Sequence, residues 1–287
     1  MSLKEIKARI ASVRSTRKTT SAMKMVSSVK LRKSQQNIEA ARPYTDTLKE
    51  MLSSMVTSRP VLTSHPIMKN REVGHCTIVA LSSDSSLCGA FNSNIISRLK
   101  SKCDLLGSDK KKFTVIPIGD KVAKFAAGQS EWNVNMSYSH FADNRTPEKT
   151  KELCRYLVTE FLEGRTDCVS VIYTHFVSAG QQSVAEQFFL PFPYSGIVTQ
   201  TGDFNDYIVE PEQNRFFEVL LPKVLDNILY TISLESFTSE HAARVMAMQT
   251  ATDNSDKLID ELTMKYNKSR QQAITNELLD LACGEIN

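Results

Sequence analysis

The stretch from Lys223 to Cys283 contains neither glycine nor proline. Its apolar residues recur at helical spacing along one side. They are Leu225, Ile228, Ile232, Leu258, Leu262, Tyr266, Ile274, Leu278 and Leu281. The pattern predicts a single helix of roughly 90 Å at the helical rise of about 1.5 Å per residue. Helices of globular proteins average about 11–12 residues. A helix of this length must therefore extend beyond the folded domain to which it is attached. Its narrow apolar stripe needs a partner along much of its length.

A second stretch without glycine or proline runs from Ser2 to Arg42. Its first apolar residues follow the 3-4-3 spacing of a coiled-coil seam. They are Leu3, Ile6, Ile10 and Val13. After these the large apolar residues stop, and the seam is predicted to recover at Met23, Met25, Val26, Val29 and Leu31. The segment therefore predicts a second long helix. Pro43 is expected either to kink this helix or to end its first segment.

The two terminal helices are predicted to pair with each other, because each has an incomplete apolar stripe. A compact insertion that returns the chain to its start makes the pair antiparallel, and we place Met23 near the level of Val245. The segment from Thr57 to Lys69, which contains two prolines, predicts a linker. The predicted domains are residues 1–58, 70–206 and 212–287.

Positive charge is concentrated at the amino-terminal end of the chain. Residues 1–42 hold eleven Lys and Arg against Glu5 and Glu39, which gives +9 and leaves −6 for the rest of a chain whose net charge is +3. Nucleic acid is disfavoured because no helix-turn-helix, zinc or β-platform signature is present, and a membrane surface because the apolar stripe is interrupted. The pattern favours contact with an acidic protein surface, and a merely solvated face stays open as the alternative.

The middle of the chain alternates short β-rich runs with helical ones, which predicts an α/β domain with a largely parallel sheet. The predicted strands are Cys76–Ser83, Phe113–Gly119, Cys168–Phe176 and Ser183–Phe192. The predicted helices are 91–103, 120–128 and 147–164. The segment from Asp203 to Pro222 is expected to lead back into the long helix, with Pro222 at its first turn or at a kink.

A search for reactive chemistry finds no catalytic, metal-binding or cofactor-binding residue, and no cofactor is predicted. The six cysteines include no CxxC pair, which favours free thiols. The glycine-rich phosphate motifs and the nucleophile elbow are missing. The segment Ser82–Asn94 is the nearest approach to an anion-binding loop, and a plain strand-to-helix turn is the better interpretation. No apolar run reaches the length of about 18 residues that a membrane span needs.

Three segments resemble one protein family closely. They are Ile6–Gln35 in the first helix, Ser82–Asn94 in the α/β region and Leu220–Leu278 in the last helix. On these the chain resembles the γ subunits of F-type ATP synthases, the central rotor shaft, over nearly its whole length. Ser85-Ser86 stands where family members usually have Arg-Gly, and the cysteine-bearing insertion of chloroplast members is missing. The start at MSLKEI, without a transit peptide, favours a bacterial member.

The resemblance implies a long antiparallel coiled coil of the terminal helices plus an inserted Rossmann-like α/β domain. It implies a non-catalytic, rotating central stalk that couples proton flow through a membrane ring to ATP synthesis or hydrolysis. The implied partners are the α, β and ε subunits and the c-ring, with no nucleic acid and no membrane insertion. The implied location is the cytoplasmic face of the bacterial inner membrane, with the matrix face of the mitochondrial inner membrane as the alternative. The implied contacts with the β subunits are Met23, Lys24 and Met25 lower down, and Arg270, Gln271 and Thr275 at the upper end.

Two other interpretations stay open at this point. A static coiled-coil scaffold or adaptor would have the same long helices, but it would be expected to have a continuous seam and no basic end. An α/β enzyme with a helical arm would need a reactive site.

Overall fold

The computed structural model describes residues 2–58, 62, 64–141, 146–192, 210 and 212–284. Its helices are α1 (Leu3–Ser58), α2 (Phe91–Ser108), α3 (Asp120–Ala127), α4 (Pro147–Leu162) and α5 (Gln213–Gly284), with a 3-10 turn at Met136–Phe141. Its strands are β1 (His75–Leu81), β2 (Lys112–Ile118), β3 (Asn133–Val134), β4 (Cys168–Ser178) and β5 (Gln181–Leu190). The predicted α/β class is confirmed. Of the expected lead-in from Asp203 to Pro222, residues 203–209 and 211 lie outside the described residues, and from Gln213 onward it is already helix.

The chain forms two compact units. The first, here called the helix pair, consists of Met1–Val29 and Arg244–Asn287, and the second, here called the sheet unit, consists of Lys30–Ala243. The helices α1 and α5 each contribute residues to both units.

Helix α1 begins with a reciprocal cap. The Glu5 backbone N–H donates to the Ser2 hydroxyl (3.2 Å), and the Ser2 backbone N–H donates to the Glu5 carboxylate (2.9 Å). The helix continues through Pro43, so this proline does not end a first segment, which was one of the two expected outcomes. Burial of Ile38, Thr45 and Leu48 on either side of the proline holds the helix together despite one lost backbone hydrogen bond.

The start of α5 excludes one of the two positions expected for Pro222, the first turn of the helix. The helix begins at Gln213, so Pro222 lies inside it and not in its first turn. The residues that precede the proline include Phe217, Leu220 and Leu221, which are buried in the core of the sheet unit. This apolar packing extends the helix upstream of the proline.

The sheet has the strand order β3-β2-β1-β4-β5. Strand β1 pairs parallel with β2 and β4, β2 pairs parallel with β3, and β5 closes one edge antiparallel to β4. The four predicted strands are present within a few residues of their predicted ends. Strand β3 was not predicted, because two residues are too few to show a period.

Helices cover both faces of the sheet. On one face α2 and α3 pack on alternate residues of the central strands, among them Ile78, Val115 and Ile172. On the other face α4 and the sheet-unit parts of α1 and α5 pack on Val79, Ile116 and other residues of the opposite parity. The central strands are thus buried on both faces, as parallel strands usually are.

A glycine makes the turn after β2 possible. Gly119 has φ +96°, and its N–H donates to the Ser139 carbonyl (2.9 Å). A Cβ at this position would lie 2.5 Å from the Ser82 carbonyl oxygen, at the end of the neighbouring strand β1. The close approach of the two strand ends therefore depends on the missing side chain.

We predict that Gly119→Ala lowers the free energy of unfolding by about 1–3 kcal/mol, because alanine rarely adopts this backbone conformation and would clash with Ser82. The single tryptophan, Trp132, packs on Phe113 and Phe125 in the same unit and reports its unfolding in urea by fluorescence. Gly107→Ala is the matched control. Gly107 lies in α2 with no atom within 4 Å of an added Cβ, so this change should be neutral or stabilising by up to about 1 kcal/mol. Equal losses in both variants would contradict the account.

Candidate functional site

The loop that follows β1 is closed by its own hydrogen bonds. The Ser83 backbone N–H donates to the Asn92 side-chain oxygen (3.1 Å), and the Asn92 amide donates to the Ser83 hydroxyl (2.8 Å) and to the Cys88 sulfur (3.1 Å). These groups lie at the carboxyl end of the central strand, where many α/β proteins bind ligands. Here they bond to one another, as the plain strand-to-helix turn requires.

The thiols of the sheet unit are buried and free at Cys76, Cys88, Cys103, Cys154 and Cys168. Burial raises the pKa of Cys103 to about 12, which keeps this thiol protonated at neutral pH. Among the described residues no group of three or more His, Cys, Asp or Glu side chains has the arrangement of a metal site.

In the helix pair, α1 and α5 run antiparallel. Thr20 and Thr252 share a hydroxyl hydrogen bond (2.9 Å), the Lys24 ammonium donates to the Gln249 side-chain oxygen, and Arg17 forms an ion pair with Asp256. Residue numbers fall along α5 as they rise along α1, so the predicted antiparallel pairing is confirmed.

The predicted register of the pair is wrong by a little more than one turn. The contacts of Thr20 and Lys24 place Met23 near residue 250, about five residues or roughly 7 Å from Val245 at the helical rise. The spacing of an apolar stripe determines which side of a helix faces its partner. The level along the axis is determined by individual polar contacts, such as Arg17 with Asp256, which the stripe does not reveal.

The middle of the helix pair has a polar interior. Ser27 is 3% exposed, whereas Met25, Val26 and Val29 are 69%, 58% and 66% exposed. The prediction that these three apolar residues return to the seam is therefore wrong. Small and hydroxyl side chains occupy the inward positions in this stretch, and the larger apolar side chains point outward. The outer surface of α1 is consequently both basic and apolar.

The structure places the six predicted contact residues in two groups on the helix pair. Met23 and Lys24 are partly buried at the level of Gln249, with Met25 exposed beside them. Arg270, Gln271 and Thr275 are all exposed, and the Thr275 hydroxyl donates back to the Gln271 carbonyl (2.9 Å). The second group lies about 30 Å along α5 from Gln249, because 21 residues separate it from Arg270.

The carboxyl-terminal part of α5 has no partner helix among the described residues. Every residue whose exposure is described between Arg270 and Leu279 is exposed, including Ile274 (49%), Leu278 (61%) and Leu279 (57%). We call residues 270–279 the apolar tip. Sequence reasoning assigned Ile274 and Leu278 to a stripe in need of a partner, and Leu279 could have been found from the same pattern.

In the sheet unit, one carboxylate joins three elements. Glu235 of α5 accepts from Arg42 of α1 (3.2 Å) and contacts His175 Nδ1 of β4 (2.7 Å), with only 10% of its side chain exposed. One turn away, Thr45 and Thr231 share a hydroxyl hydrogen bond (3.2 Å), and Ser239 donates to the Thr174 carbonyl (3.0 Å). Sequence reasoning missed this junction, because residues far apart in the chain meet only in the fold.

The Glu235 carboxylate also affects the pKa of a neighbouring tyrosine. Burial and the nearby Glu235 carboxylate raise the pKa of Tyr173 to about 12, so its phenol stays protonated. The junction thus consists of a carboxylate held by two basic side chains, beside a neutral phenol. Its geometry joins α1 and α5 to strand β4, next to the edge strand β5.

The described residues thus form two long helices that pair antiparallel and a three-layer α/β unit. A family model described as ATP synthase matches residues 2–285. The chain is 42% identical to the ATP synthase gamma chain of Bacteroides fragilis over 289 residues, which cover 99% of each chain. It is equally 42% identical to that of Bacteroides thetaiotaomicron over 299 residues, again 99% of each.

A solved structure shares the fold at low sequence identity. It is a chain in the structure of the Euglena gracilis mitochondrial ATP synthase with OSCP, F1 and c-ring, which is 16% identical, has a TM-score of 0.63, and is matched over 99% of this chain and 93% of that one. This chain therefore belongs to the family of ATP synthase gamma chains. It is a non-catalytic subunit, and the interpretation as an α/β enzyme is excluded.

We predict that cysteines placed at Thr20 and Thr252, in a cysteine-free background, oxidise to a disulfide under mild conditions, because these side chains already touch. Cysteines at Met23 and Val245 should cross-link slowly, since they lie about a turn out of register. Non-reducing gel mobility after timed oxidation measures both pairs. Faster cross-linking of the second pair would contradict the register described here.

We also predict that Glu235→Ala lowers the free energy of unfolding of the sheet unit by about 1–2 kcal/mol. The cost is moderate because Arg42 and His175 are nearly half exposed and keep part of their hydration. Trp132 fluorescence in urea measures it. Glu50→Ala, at an exposed glutamate of α1, should change the free energy by no more than about 0.5 kcal/mol. A loss at position 50 as large as that at position 235 would contradict a role for the junction.

Proposed function

We propose that the helix pair is the part of this gamma chain that turns inside the catalytic ring and distinguishes its three catalytic sites. The observation that carries the proposal is the apolar tip, a segment of α5 with three exposed large apolar residues and no helix beside it in the described part of the chain. Exposed apolar surface of this kind normally meets a partner protein. A ring that encloses the tip would supply that partner.

The proposed contacts with the ring are the two groups on the helix pair. Met23, Lys24 and Met25 would form the lower contact, and Arg270, Gln271 and Thr275 the upper one. Their exposure and chemistry support this role: the lower group combines a cation with an exposed methionine, and the upper group lies on the exposed tip. A rotating contact benefits from moderate adhesion, and surface charges provide attraction without a deep, dry interface.

A rotor must also expose different side chains on its different sides. A symmetric rod would push every catalytic site of the ring into the same state. At the level where α1 presents three exposed apolar residues, Met25, Val26 and Val29, the facing stretch of α5 presents one, Met246 (49% exposed). This chemical difference between sides supports a coupling role, since a turn of the pair exchanges one surface for another.

The proposed partners are the α and β subunits of the ring, the ε subunit and the membrane c-ring. The Euglena structure is described as containing F1 and a c-ring, and a related Tetrahymena thermophila structure as the central stalk with c-ring. No helix among the described residues is both long and apolar enough to cross a membrane. As a gamma chain, the protein works in a membrane-associated complex. We propose the cytoplasmic face of a bacterial inner membrane as its location, reached through its partners.

The proposed division of labour follows the three segments of the sequence. Residues 1–58 and 212–287 would provide the coiled coil, and residues 70–206 the α/β domain that contacts the ε subunit and the c-ring. Coupling then depends on how firmly α1 and α5 are held to the sheet, which is the task we assign to the Glu235 junction.

The test of this function uses the assembled complex. A cysteine at Thr275 and one on the facing surface of a β subunit, in a cysteine-free background, should form a disulfide that stops ATP hydrolysis and synthesis. Activity should return when a reductant opens the disulfide, and Thr275→Cys without its partner cysteine should keep most of the activity, because the contact is shared among several residues. Full turnover with the cross-link demonstrably complete would contradict rotation and return the static scaffold to consideration.

Loss of one contact charge should act differently from the cross-link. We predict that Lys24→Ala lowers ATP synthesis in the reconstituted complex by no more than about fivefold, because one charge contact at a partly exposed lysine is worth about 0–1 kcal/mol. Lys7→Ala, at an exposed lysine of the same helix outside the proposed contacts, is the control and should have a smaller effect. Complete loss of synthesis in Lys24→Ala, with the complex intact, would show that the contact is not shared among several residues.

A further inference from the structure

A cleft between α4 and α5 in the sheet unit has no role in the function described so far. Its volume is about 350 Å³, within the range of about 300–1,000 Å³ that small-molecule sites occupy. Its lining combines buried apolar groups, such as Ile67 and Leu225, with the partly buried Val158. The cleft thus has room for a short hydrocarbon chain, and its accessible apolar surface comes from Val158 and from Pro222 of α5.

The rim of this cleft is positively charged. Lys151 and Arg155 lie four residues apart on α4, and Lys223 lies opposite on α5. Asp226 is the one acidic residue of the lining, and its carboxylate is 4.0 Å from the Lys151 ammonium. Within the described residues, Arg155 and Lys223 have no carboxylate within ion-pair distance. Three cations against one carboxylate leave two positive charges at the mouth of an apolar space.

The thiol inside the cleft is not a reactive group. Cys154 is 2% exposed, and burial together with the Asp226 carboxylate raises its pKa far above the ordinary range. A protonated thiol in this position packs as a small apolar side chain. The cleft is therefore suited to reversible binding and not to covalent chemistry.

We propose that this cleft binds a single-chain aliphatic anion, such as a medium-chain monocarboxylate. The hydrocarbon chain would lie on Val158 and Pro222, the apolar side chains of the lining that remain accessible, and the anionic head would lie between Arg155 and Lys223. A guanidinium presents paired donors that match a carboxylate, and an ammonium adds a mobile second donor. A fully polar anion would leave this apolar surface unused, and a neutral chain would leave the two cations unpaired.

Binding would connect the two helices that border the cleft. The ligand would contact α4 through Arg155 and α5 through Lys223, and so stabilise the folded sheet unit in proportion to its concentration. The site is separate from the proposed ring contacts, and its failure in a test leaves the rotor function untouched.

The experiment is a calorimetric titration of the full chain with decanoate, kept below the concentration at which it forms micelles. We expect a dissociation constant below about 1 mM. Affinity should rise about three- to fourfold for each methylene from hexanoate to decanoate, whereas acetate, decanol and decyltrimethylammonium should bind at least about tenfold more weakly than decanoate. No heat with decanoate, or equal binding of decanol, would overturn the proposal.

Charge variants locate the site. Lys223→Glu and Arg155→Gln, both at exposed positions, should each weaken decanoate binding at least about fivefold. Lys100→Glu, at an exposed lysine of α2 on the other face of the sheet, is the matched control and should bind as the unmodified chain does. Equal weakening in all three variants would show non-specific attraction to net charge, and would overturn the site. Trp132 fluorescence checks that each variant is folded.

A final titration uses anionic vesicles in place of decanoate. Binding of the vesicles without binding of free decanoate would also overturn the proposal.

Discussion

Each terminal helix has an apolar stripe that it cannot bury by itself, and the pairing of these stripes is the constraint on which the rest depends. At the start of α1 the stripe is apolar, with Ile6 buried and Leu262 buried on α5. Further along, the interior changes to Thr20, Lys24 and Ser27, which bond to partners on α5 or are enclosed there. Hydroxyl and amide contacts have directional geometry, so they specify one register where an apolar seam alone would tolerate several. A polar interior buries less apolar surface and so stabilises the helix pair less. In return, the apolar and basic side chains of α1 stay on the outer surface.

Within the sheet unit, the same two helices are held by a different device. Their apolar sides join the core on one face of the sheet, and the buried Glu235 carboxylate fixes them laterally to Arg42 and His175. Burial supplies most of the free energy, and the ion pairs supply direction. Removing Arg42 or His175 would leave a largely buried carboxylate with fewer donors. The free energy lost in this way is larger than the net stabilisation that the intact contact provides. A subunit that transmits torque needs such lateral fixation, because apolar contacts alone allow helices to slide.

The sequence predicted the elements well and their mutual arrangement less well. Glycine- and proline-free stripes identified both long helices, and β-rich runs identified four strands, because each of these signals is local. The sequence left open whether α1 kinks or ends at Pro43, since its continuity depends on the burial of Thr45 and Leu48 by residues far away in the chain. The register of the pair and the outward direction of Val26 depend on polar contacts with α5. The Glu235 junction joins residues 42, 175 and 235, a juxtaposition that the fold alone creates. The family, by contrast, was identified from three local motifs.

The most direct measurement of the central claim is the rotation of this chain within a working complex. The catalytic ring is fixed to a surface, and a bead is attached to Lys100→Cys on the exposed side of α2. The account predicts that the bead turns in one direction when ATP is supplied, pauses at three equally spaced angles in each turn, and stops when Thr275→Cys is cross-linked to the ring. A complex that hydrolyses ATP at its full rate while beads on this chain stay fixed relative to the ring would contradict the account.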